Sequence, residues 1–136
     1  MSSAALEFER VDILFSAESG RRRAVALKSA LQRLDEGRDR NEIETATGVV
    51  VGVSQASLVV QRGQISVLMG LSGSGKSTLL RAANGLNRVT RGRVLVNDGD
   101  QQIDVATCDA ATLRRLRRGT IAMIFQQFGL LPWRTV

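Results

Sequence analysis

The sequence predicts an α/β fold organised around a phosphate-binding loop, and three observations lead to that prediction. The apolar residues 65–69 run directly into a glycine-rich loop, and a helical pattern follows over residues 77–86. A β-branched region at residues 49–60 precedes this unit, and a wholly apolar run at residues 121–125 follows it. A strand, a glycine-rich loop and a helix in that order form a layout by which proteins hold phosphate groups.

Composition narrows the classes of function. The chain has 136 residues, a net charge of +6, no histidine and one cysteine. Because histidine is absent and there is a single cysteine, the chain cannot form a His/Cys zinc site, a histidine-based catalytic triad or an intrachain disulfide. Glu7 and Glu9 stand where a secretory signal needs an apolar stretch, and no apolar run reaches the roughly eighteen residues of a membrane span. We therefore expect one domain-sized chain without direct membrane insertion.

The N-terminal third has a helical pattern. Apolar residues recur at helical spacing within residues 18–37, and Gly37 is a suitable C-terminal stop. A second short helix is predicted over residues 39–46, ended by Gly48. The composition then changes to β-branched residues. We place a domain boundary near Thr47, so that residues 1–47 form a helical appendage and residues 48–136 form a nucleotide-type domain.

The remaining elements follow from alternating apolar runs and turn residues. Two antiparallel strands are predicted at residues 49–53 and 58–60, with a turn at residues 61–64 before the strand at 65–69. After the helix at 77–86 come strands at 92–96 and 103–105, joined by a turn at 97–100. Asp109 is the predicted N-cap of a helix that ends at Gly119. The run at 121–125 is typical of a central parallel strand, buried on both faces.

The glycine-rich loop carries the most specific pattern in the chain. Its eight residues match G-x-x-x-x-G-K-[ST] at every required position, and a threonine follows: Gly70, Leu71, Ser72, Gly73, Ser74, Gly75, Lys76, Ser77 and Thr78. Glycines let backbone N–H groups wrap a polyphosphate, and the start of the helix directs further N–H groups at the anion. Lys76 supplies a cation, and Ser77 offers a hydroxyl to Mg²⁺. This pattern alone does not choose between ATP and GTP.

Two other functions remain open from the residues alone. A different P-loop enzyme, such as a small kinase, would need a second acidic metal ligand, and Asp98, Asp100 and Asp104 are the candidates. An arginine-rich nucleic-acid-associated protein would use the clusters at residues 21–23, 88–93 and 114–118 to neutralise phosphates. Few aromatic residues accompany these arginines, which favours solvated helix faces over base stacking.

Two longer stretches of the sequence indicate a specific protein family. Residues 71–81, which read LSGSGKSTLLR, and residues 124–132, which read IFQQFGLLP, together resemble the ATP-binding subunits of ATP-binding cassette (ABC) transporters. The segments at 70–72, 84–86 and 125–136 are similar to the branch that serves importers of quaternary amines such as choline and glycine betaine. The helical appendage is also similar to that branch. On this resemblance, residues 48–136 are the N-terminal part of an ABC ATP-binding domain and end just after its Q-loop.

The resemblance implies cofactors and site residues. ATP and Mg²⁺ are the implied cofactors, with residues 70–78 around the phosphates and with Ser77 and Gln126 as the metal contacts. Gln126 takes the position of the Q-loop glutamine, which in the family reaches the Mg²⁺ and the attacking water. The apolar segment at residues 128–133 is open to two interpretations, docking of a membrane subunit or packing beneath further polypeptide.

The resemblance also implies partners and a location. The implied partners are an ABC membrane permease subunit and a second ATP-binding subunit, without nucleic acid. The implied location is the cytoplasmic face of the inner membrane, as a peripheral protein. The sequence has no signature motif, no second acidic metal motif and no switch histidine. We therefore expect a truncated chain that binds nucleotide phosphates but has negligible ATPase activity by itself.

One departure from the family concerns the base of the nucleotide. ABC ATP-binding domains commonly stack adenine on an aromatic residue about thirty residues before the lysine. Here residues 45–49 supply no aromatic side chain. Phe8 or Phe15 would substitute only if the N-terminal segment folds back onto the nucleotide-binding part.

Overall fold

A computed structural model of the chain describes residues 4–126. It contains a four-stranded antiparallel sheet with strand order β2-β1-β3-β4 and four helices. In chain order the elements are β1 (Ala4–Ser16), α1 (Gly20–Asp35), α2 (Arg40–Thr47), β2 (Val49–Gln61), α3 (Lys76–Ala83), β3 (Arg91–Asp98), β4 (Gln101–Asp104) and α4 (Ala110–Gly119).

The first strand corrects the interpretation of the N-terminal segment as purely helical. β1 lies inside the sheet and pairs with both β2 and β3. Apolar and polar residues alternate from Leu6 to Glu9 and from Val11 to Ile13, which is typical of a strand, but the strands that pair with β1 are distant in sequence. The domain boundary at residue 47 stays a prediction, but β1 on its N-terminal side shares a sheet with the strands that follow.

The two strands predicted at residues 49–53 and 58–60 are a single strand, which corrects their expected pairing with each other. β2 runs from Val49 to Gln61 without interruption, and its antiparallel partner is β1. Residues 54–57, which separate the two predicted strands, continue the strand. The predicted turn at residues 61–64 is present, closed by a hydrogen bond from Gln64 N to Gln61 O of 3.1 Å.

The sheet is covered by helices on both faces, and each face has its own hydrophobic core. On one face α1 and α2, which confirm the two predicted N-terminal helices, bury Ala30 and Ile43 against Leu14, Val49 and Val51. On the other face α3 and α4 form the larger core with alternate residues of the strands. Its buried members are Phe8, Val11, Ile13, Val53, Leu79, Ala82, Ala83, Val94, Val96, Val105 and Leu116.

The hairpin and the last helix agree with the sequence prediction. β3 and β4 pair in antiparallel fashion. The Asp109 carboxylate accepts a hydrogen bond from Thr112 N at 2.7 Å, which confirms Asp109 as the N-cap of α4. Asp98 at the end of β3 bonds to Arg115 of α4 and to the hydroxyl of Thr120, the latter at 2.5 Å. The hairpin and α4 are thereby joined.

Two predicted strands do not form. Residues 65–69 and 121–125 have no strand structure, and Ile65, Met69 and Ile124 are 90%, 86% and 97% exposed. Leu68 and Ile121 still pack against the larger core. An apolar run becomes a strand only when a neighbour offers backbone hydrogen bonds, and no strand of the described sheet pairs with either run. The expected start of a parallel sheet is therefore absent from residues 4–126.

Among the described residues, no helix is both long and apolar enough to cross a bilayer. The apolar segment predicted at residues 128–133 lies outside the described residues.

Candidate phosphate-binding site

The glycine-rich loop leads into α3 as the motif predicts. Residues 70–75 form the loop, and α3 begins at Lys76 with Gly75 as its N-cap in the left-handed conformation, at φ +95°. No side chain caps the first turn of α3. The N–H groups of that turn have no intrahelical acceptors, so they are available to an anionic ligand.

The side chain of Lys76, the first residue of α3, reaches back into the loop. Its Nζ donates to Gly70 O at 2.8 Å, to Leu71 O at 2.7 Å and to Ser74 Oγ at 3.2 Å. The ammonium group is therefore surrounded by oxygen acceptors from the loop itself. Phosphate oxygens are stronger acceptors because they are charged. The loop thus places one cation and the free N–H groups of a helix around the same space.

Close backbone contact fixes the loop against the sheet. A Cβ atom on Gly75 would collide with Gly52 O of β2 and lie 3.2 Å from Val53 Cγ2. Glycine is required at position 75 for this reason and because of its positive φ. The loop therefore depends on β2 for its position, and β2 is in turn paired with β1.

The absence of a side chain at Gly52 also leaves room for an aromatic ring next to the site. A Cβ atom on Gly52 would lie 2.7 Å from Phe15 Cε2 and 3.2 Å from Thr78 Cγ2. The Phe15 ring thus lies over Gly52, next to the first turn of α3, and Phe15 is 42% exposed. Phe8 is 1% exposed within the larger core. The N-terminal segment therefore folds back onto the part of the chain that carries the glycine-rich loop. Phe15, and not Phe8, lies beside that loop.

In the described part of the chain, no hydrogen bond joins the two predicted metal contacts, Ser77 and Gln126. Ser77 lies in the first turn of α3, whereas Gln126 is exposed at the end of the described residues. Within residues 4–126, no cluster of three or more acidic, histidine or cysteine side chains could hold a metal by itself. A hydroxyl and an amide carbonyl are oxygen ligands, which Mg²⁺ accepts when phosphates and water complete its octahedron. The donor set therefore fits Mg²⁺ delivered with a polyphosphate.

The motif predicts the loop, but the importance of Gly52 for its position becomes evident only in the structure. A glycine inside an apolar strand often marks close approach of another backbone. The pattern Val-Val-Val-Gly-Val at residues 49–53 therefore carried this information. No local pattern identified Phe15, because its proximity to Thr78 depends on the pairing of β1 with β2.

A family model described as ABC transporter matches residues 53–136, which include the glycine-rich loop and Gln126.

Similar curated proteins come from several bacteria. The chain is 47% identical over 107 residues to the glycine betaine/proline betaine transport system ATP-binding protein ProV of Escherichia coli, covering 79% of this chain and 26% of ProV. It is 41% identical over 131 residues to the glycine betaine transport ATP-binding protein OpuAA of Bacillus subtilis, covering 96% of this chain and 28% of OpuAA. The chain thus spans about a quarter of the length of these relatives.

Among solved structures, the fold is similar to a dimeric ATP-binding cassette in a post-hydrolysis state, bound to ADP and phosphate. The TM-score is 0.64 at 23% identity, and the match covers 96% of this chain and 42% of that chain. At this identity the likeness concerns the fold, and it confirms the predicted fold class.

Proposed function

Because this chain belongs to the ABC transporter family, we propose that it binds Mg²⁺-ATP as the N-terminal part of an energy-coupling subunit of a quaternary-amine importer. The family assignment confirms the resemblance found in the sequence and favours this function over a small kinase. The observation that carries the proposal is the loop at residues 70–78, which surrounds the Lys76 ammonium group with oxygen acceptors beside the uncapped start of α3.

The position of Phe15 supports adenine as the base. Its ring is partly exposed and lies beside Thr78, at the end of the loop that receives the phosphates. Stacking of a base on an aromatic ring contributes about 1–3 kcal/mol. We assign Phe15 to this role, with residues 70–78 for the phosphates and with Ser77 and Gln126 for the metal. Mg²⁺ would neutralise charge on the phosphate oxygens.

The names of the relatives support the proposed transport role. ProV and OpuAA are ATP-binding proteins of betaine transport, which favours glycine betaine, proline betaine or choline as the solute. The proposed partners are a membrane permease subunit and a second ATP-binding subunit, and the similar solved cassette is dimeric. The proposed location is the cytoplasmic face of the inner membrane.

Titration of the 136-residue chain with Mg²⁺-ATP tests the proposal. We expect Lys76→Ala to weaken binding about 10- to 100-fold, because a hydrogen bond to a charged group contributes about 1.5–3 kcal/mol. The matched control is Lys28→Ala, since Lys28 is the other lysine of the chain and lies exposed on α1. Equal affinities for the two variants would contradict the assignment of the phosphate site.

A further inference from the structure

We propose that Arg91 is a positioning residue for the nucleotide base, because it bridges Asp12 of β1 and Asp35 of α1 and so fixes the segment of β1 that presents Phe15. This inference rests on the proposed binding of ATP and assigns Arg91 no contact with the nucleotide.

The bridge connects three elements that are far apart in sequence. Arg91 Nε donates to Asp12 Oδ2 at 2.6 Å, and its two terminal nitrogens donate to the two Asp35 oxygens at 2.8 Å each. Arg91 begins β3, Asp12 lies in β1 and Asp35 ends α1. The hydrogen bonds from Arg91 hold the pKa of Asp35 below its usual range, and the two carboxylates raise the pKa of Arg91. One planar guanidinium thus serves two carboxylates.

Burial of Asp12 makes the bridge necessary. The Asp12 side chain is 1% exposed, and a buried carboxylate is costly unless it is paired and hydrogen-bonded. Arg91 bonds to Oδ2 of Asp12, and Oδ1 of Asp12 accepts a hydrogen bond from Gln55 N at 2.8 Å. Gln55 has a positive φ of +45°, a strained value for a residue with a side chain. The carboxylate therefore holds β1 and an irregular point of β2 together.

The part of β1 around Asp12 is irregular, and the irregularity ends next to Phe15. The β1–β2 register shifts between Phe8 and Val11, between Val11 and Ile13, and between Ile13 and Leu14. Such bulges reorient side chains and commonly occur beside functional sites. From Leu14 to Ser16 the register is regular, with Phe15 opposite Val50. The direction of the Phe15 ring is consequently set by how the irregular segment is held.

Backbone contacts extend the bridge toward Phe15. Thr90, which precedes Arg91, donates a hydrogen bond from its N–H to Asp12 O at 2.8 Å. The Thr90 hydroxyl oxygen accepts a hydrogen bond from Leu14 N at 2.9 Å. Leu14 belongs to the core under α1 and α2, whereas Phe15 lies over Gly52 on the α3 side. The bridge therefore acts from the face of the sheet opposite to the phosphate loop.

A comparison of two ligands separates positioning of the base from general support of the fold. Mg²⁺-ATP and Mg²⁺-tripolyphosphate both engage residues 70–78, but only ATP has a base to stack on Phe15. The main variant is Arg91→Lys, which keeps a positive charge near Asp12 but cannot form the three directed bonds. The matched control is Arg93→Lys, since Arg93 is two residues along β3 and pairs with Glu9 at 2.7 Å outside the bridge.

We expect Arg91→Lys to weaken ATP binding about 3- to 10-fold, less than Phe15→Ala, because a misplaced ring retains part of its stacking. Tripolyphosphate affinity should remain unchanged, and Arg93→Lys should preserve both affinities. Asp35→Asn, which alters only the exposed end of the bridge, should give a smaller loss confined to ATP. Combining Phe15→Ala with Arg91→Lys should weaken ATP binding no further than Phe15→Ala alone.

Several outcomes would overturn the inference, and they differ from failure of the proposed function. Equal losses for ATP and tripolyphosphate in Arg91→Lys would show general structural damage instead of positioning. An unchanged ATP affinity in Arg91→Lys, alongside a loss in Phe15→Ala, would refute the role of Arg91 alone. A wild-type chain that binds neither ligand would instead contradict the proposed function, and an unaffected Phe15→Ala would contradict the assignment of the base.

Discussion

Gly75 shows how a single residue can set the geometry of the candidate phosphate-binding site. It has φ +95°, and the backbone oxygen of Gly52 occupies the space that a side chain would need. A left-handed conformation alone costs a residue with a Cβ about 1–2 kcal/mol. At Gly75 the steric collision adds to this cost, so the loop must move away from β2 if the residue is replaced.

We therefore predict that Gly75→Ala weakens Mg²⁺-tripolyphosphate binding and lowers the free energy of unfolding. The matched control is Gly37→Ala, because Gly37 also has a positive φ, +75°, but has nothing within 4 Å of a Cβ atom. This control should lose about 1–2 kcal/mol of stability and keep its affinity for tripolyphosphate. Urea unfolding and calorimetric titration measure the two quantities. Identical behaviour of the two variants would argue against steric locking of the loop by β2.

At the residue level, the sequence was sufficient to predict that a glycine-rich loop leads into α3, but it was not sufficient to predict what surrounds that loop. Residue types at fixed spacing identify residues 70–78, because the chemistry of phosphate binding requires those residues side by side in the chain. No spacing of neighbouring residues predicts what Phe15 and Asp12 contact. Asp12 and Arg91 are 79 residues apart, and only the pairing of β1 with β3 brings them into contact.

At the level of elements, the carboxylate of Asp98 adds a polar contact between the β3–β4 hairpin and the α4 region to the hydrophobic packing between them. Hydrogen bonds from the Thr120 hydroxyl and from Arg115 hold the pKa of Asp98 below its ordinary value. A group whose pKa is lower in the folded than in the unfolded chain stabilises the fold above the unfolded pKa. That stabilisation is lost as the pH falls through the folded pKa, so acid should weaken this contact.

We predict that the free energy of unfolding of the wild-type chain decreases as the pH is lowered from about 5 toward 2, across the usual range of aspartate. Asp98→Asn should show a shallower decrease, because it removes one of the carboxylates that must be protonated. Asp100→Asn, in the adjacent turn, is the matched control and should retain the wild-type slope. Urea unfolding at successive pH values provides the measurement, and parallel curves for Asp98→Asn and wild type would refute the contribution of Asp98.

The elements also differ in how well local pattern predicts them. The four helices begin and end near the predicted residues because spacing, N-caps and terminal glycines are local properties. Residues 65–69 and 121–125 have an apolar pattern typical of strands, yet neither run has a ladder partner within the described sheet. Strand formation requires a second strand, so apolar character alone is not sufficient.

At the scale of the whole molecule, these two runs leave large apolar side chains in contact with water. Val67 and Met69 are 73% and 86% exposed, and Ile124 is 97% exposed; Leu71, in the adjoining loop, is 85% exposed. Contiguous apolar surface of this kind promotes association. The positive net charge of the chain opposes association by repulsion between molecules, and added salt screens that repulsion.

We predict that the purified 136-residue chain self-associates as its concentration rises, more strongly at high salt. Met69→Lys should reduce this association because it interrupts the exposed run with a charge. Val25→Lys is the matched control, since Val25 is 63% exposed but lies on α1. Sedimentation velocity over a range of concentrations measures the association. Equal effects of the two substitutions would indicate that added charge, and not residues 65–71, controls it.

The sequence by itself determined the local features of this protein: the glycine-rich loop ahead of α3, the helix boundaries and the family. These depend on neighbouring residues, whose spacing fixes both backbone conformation and the groups presented to a ligand. Only the tertiary structure decided that β1 lies within the sheet, that Phe15 rather than Phe8 reaches the loop, and that Arg91 joins Asp12 to Asp35. Each of these depends on strand pairing between distant segments, where register and bulges are set by the complete set of contacts and leave no periodic trace in the chain.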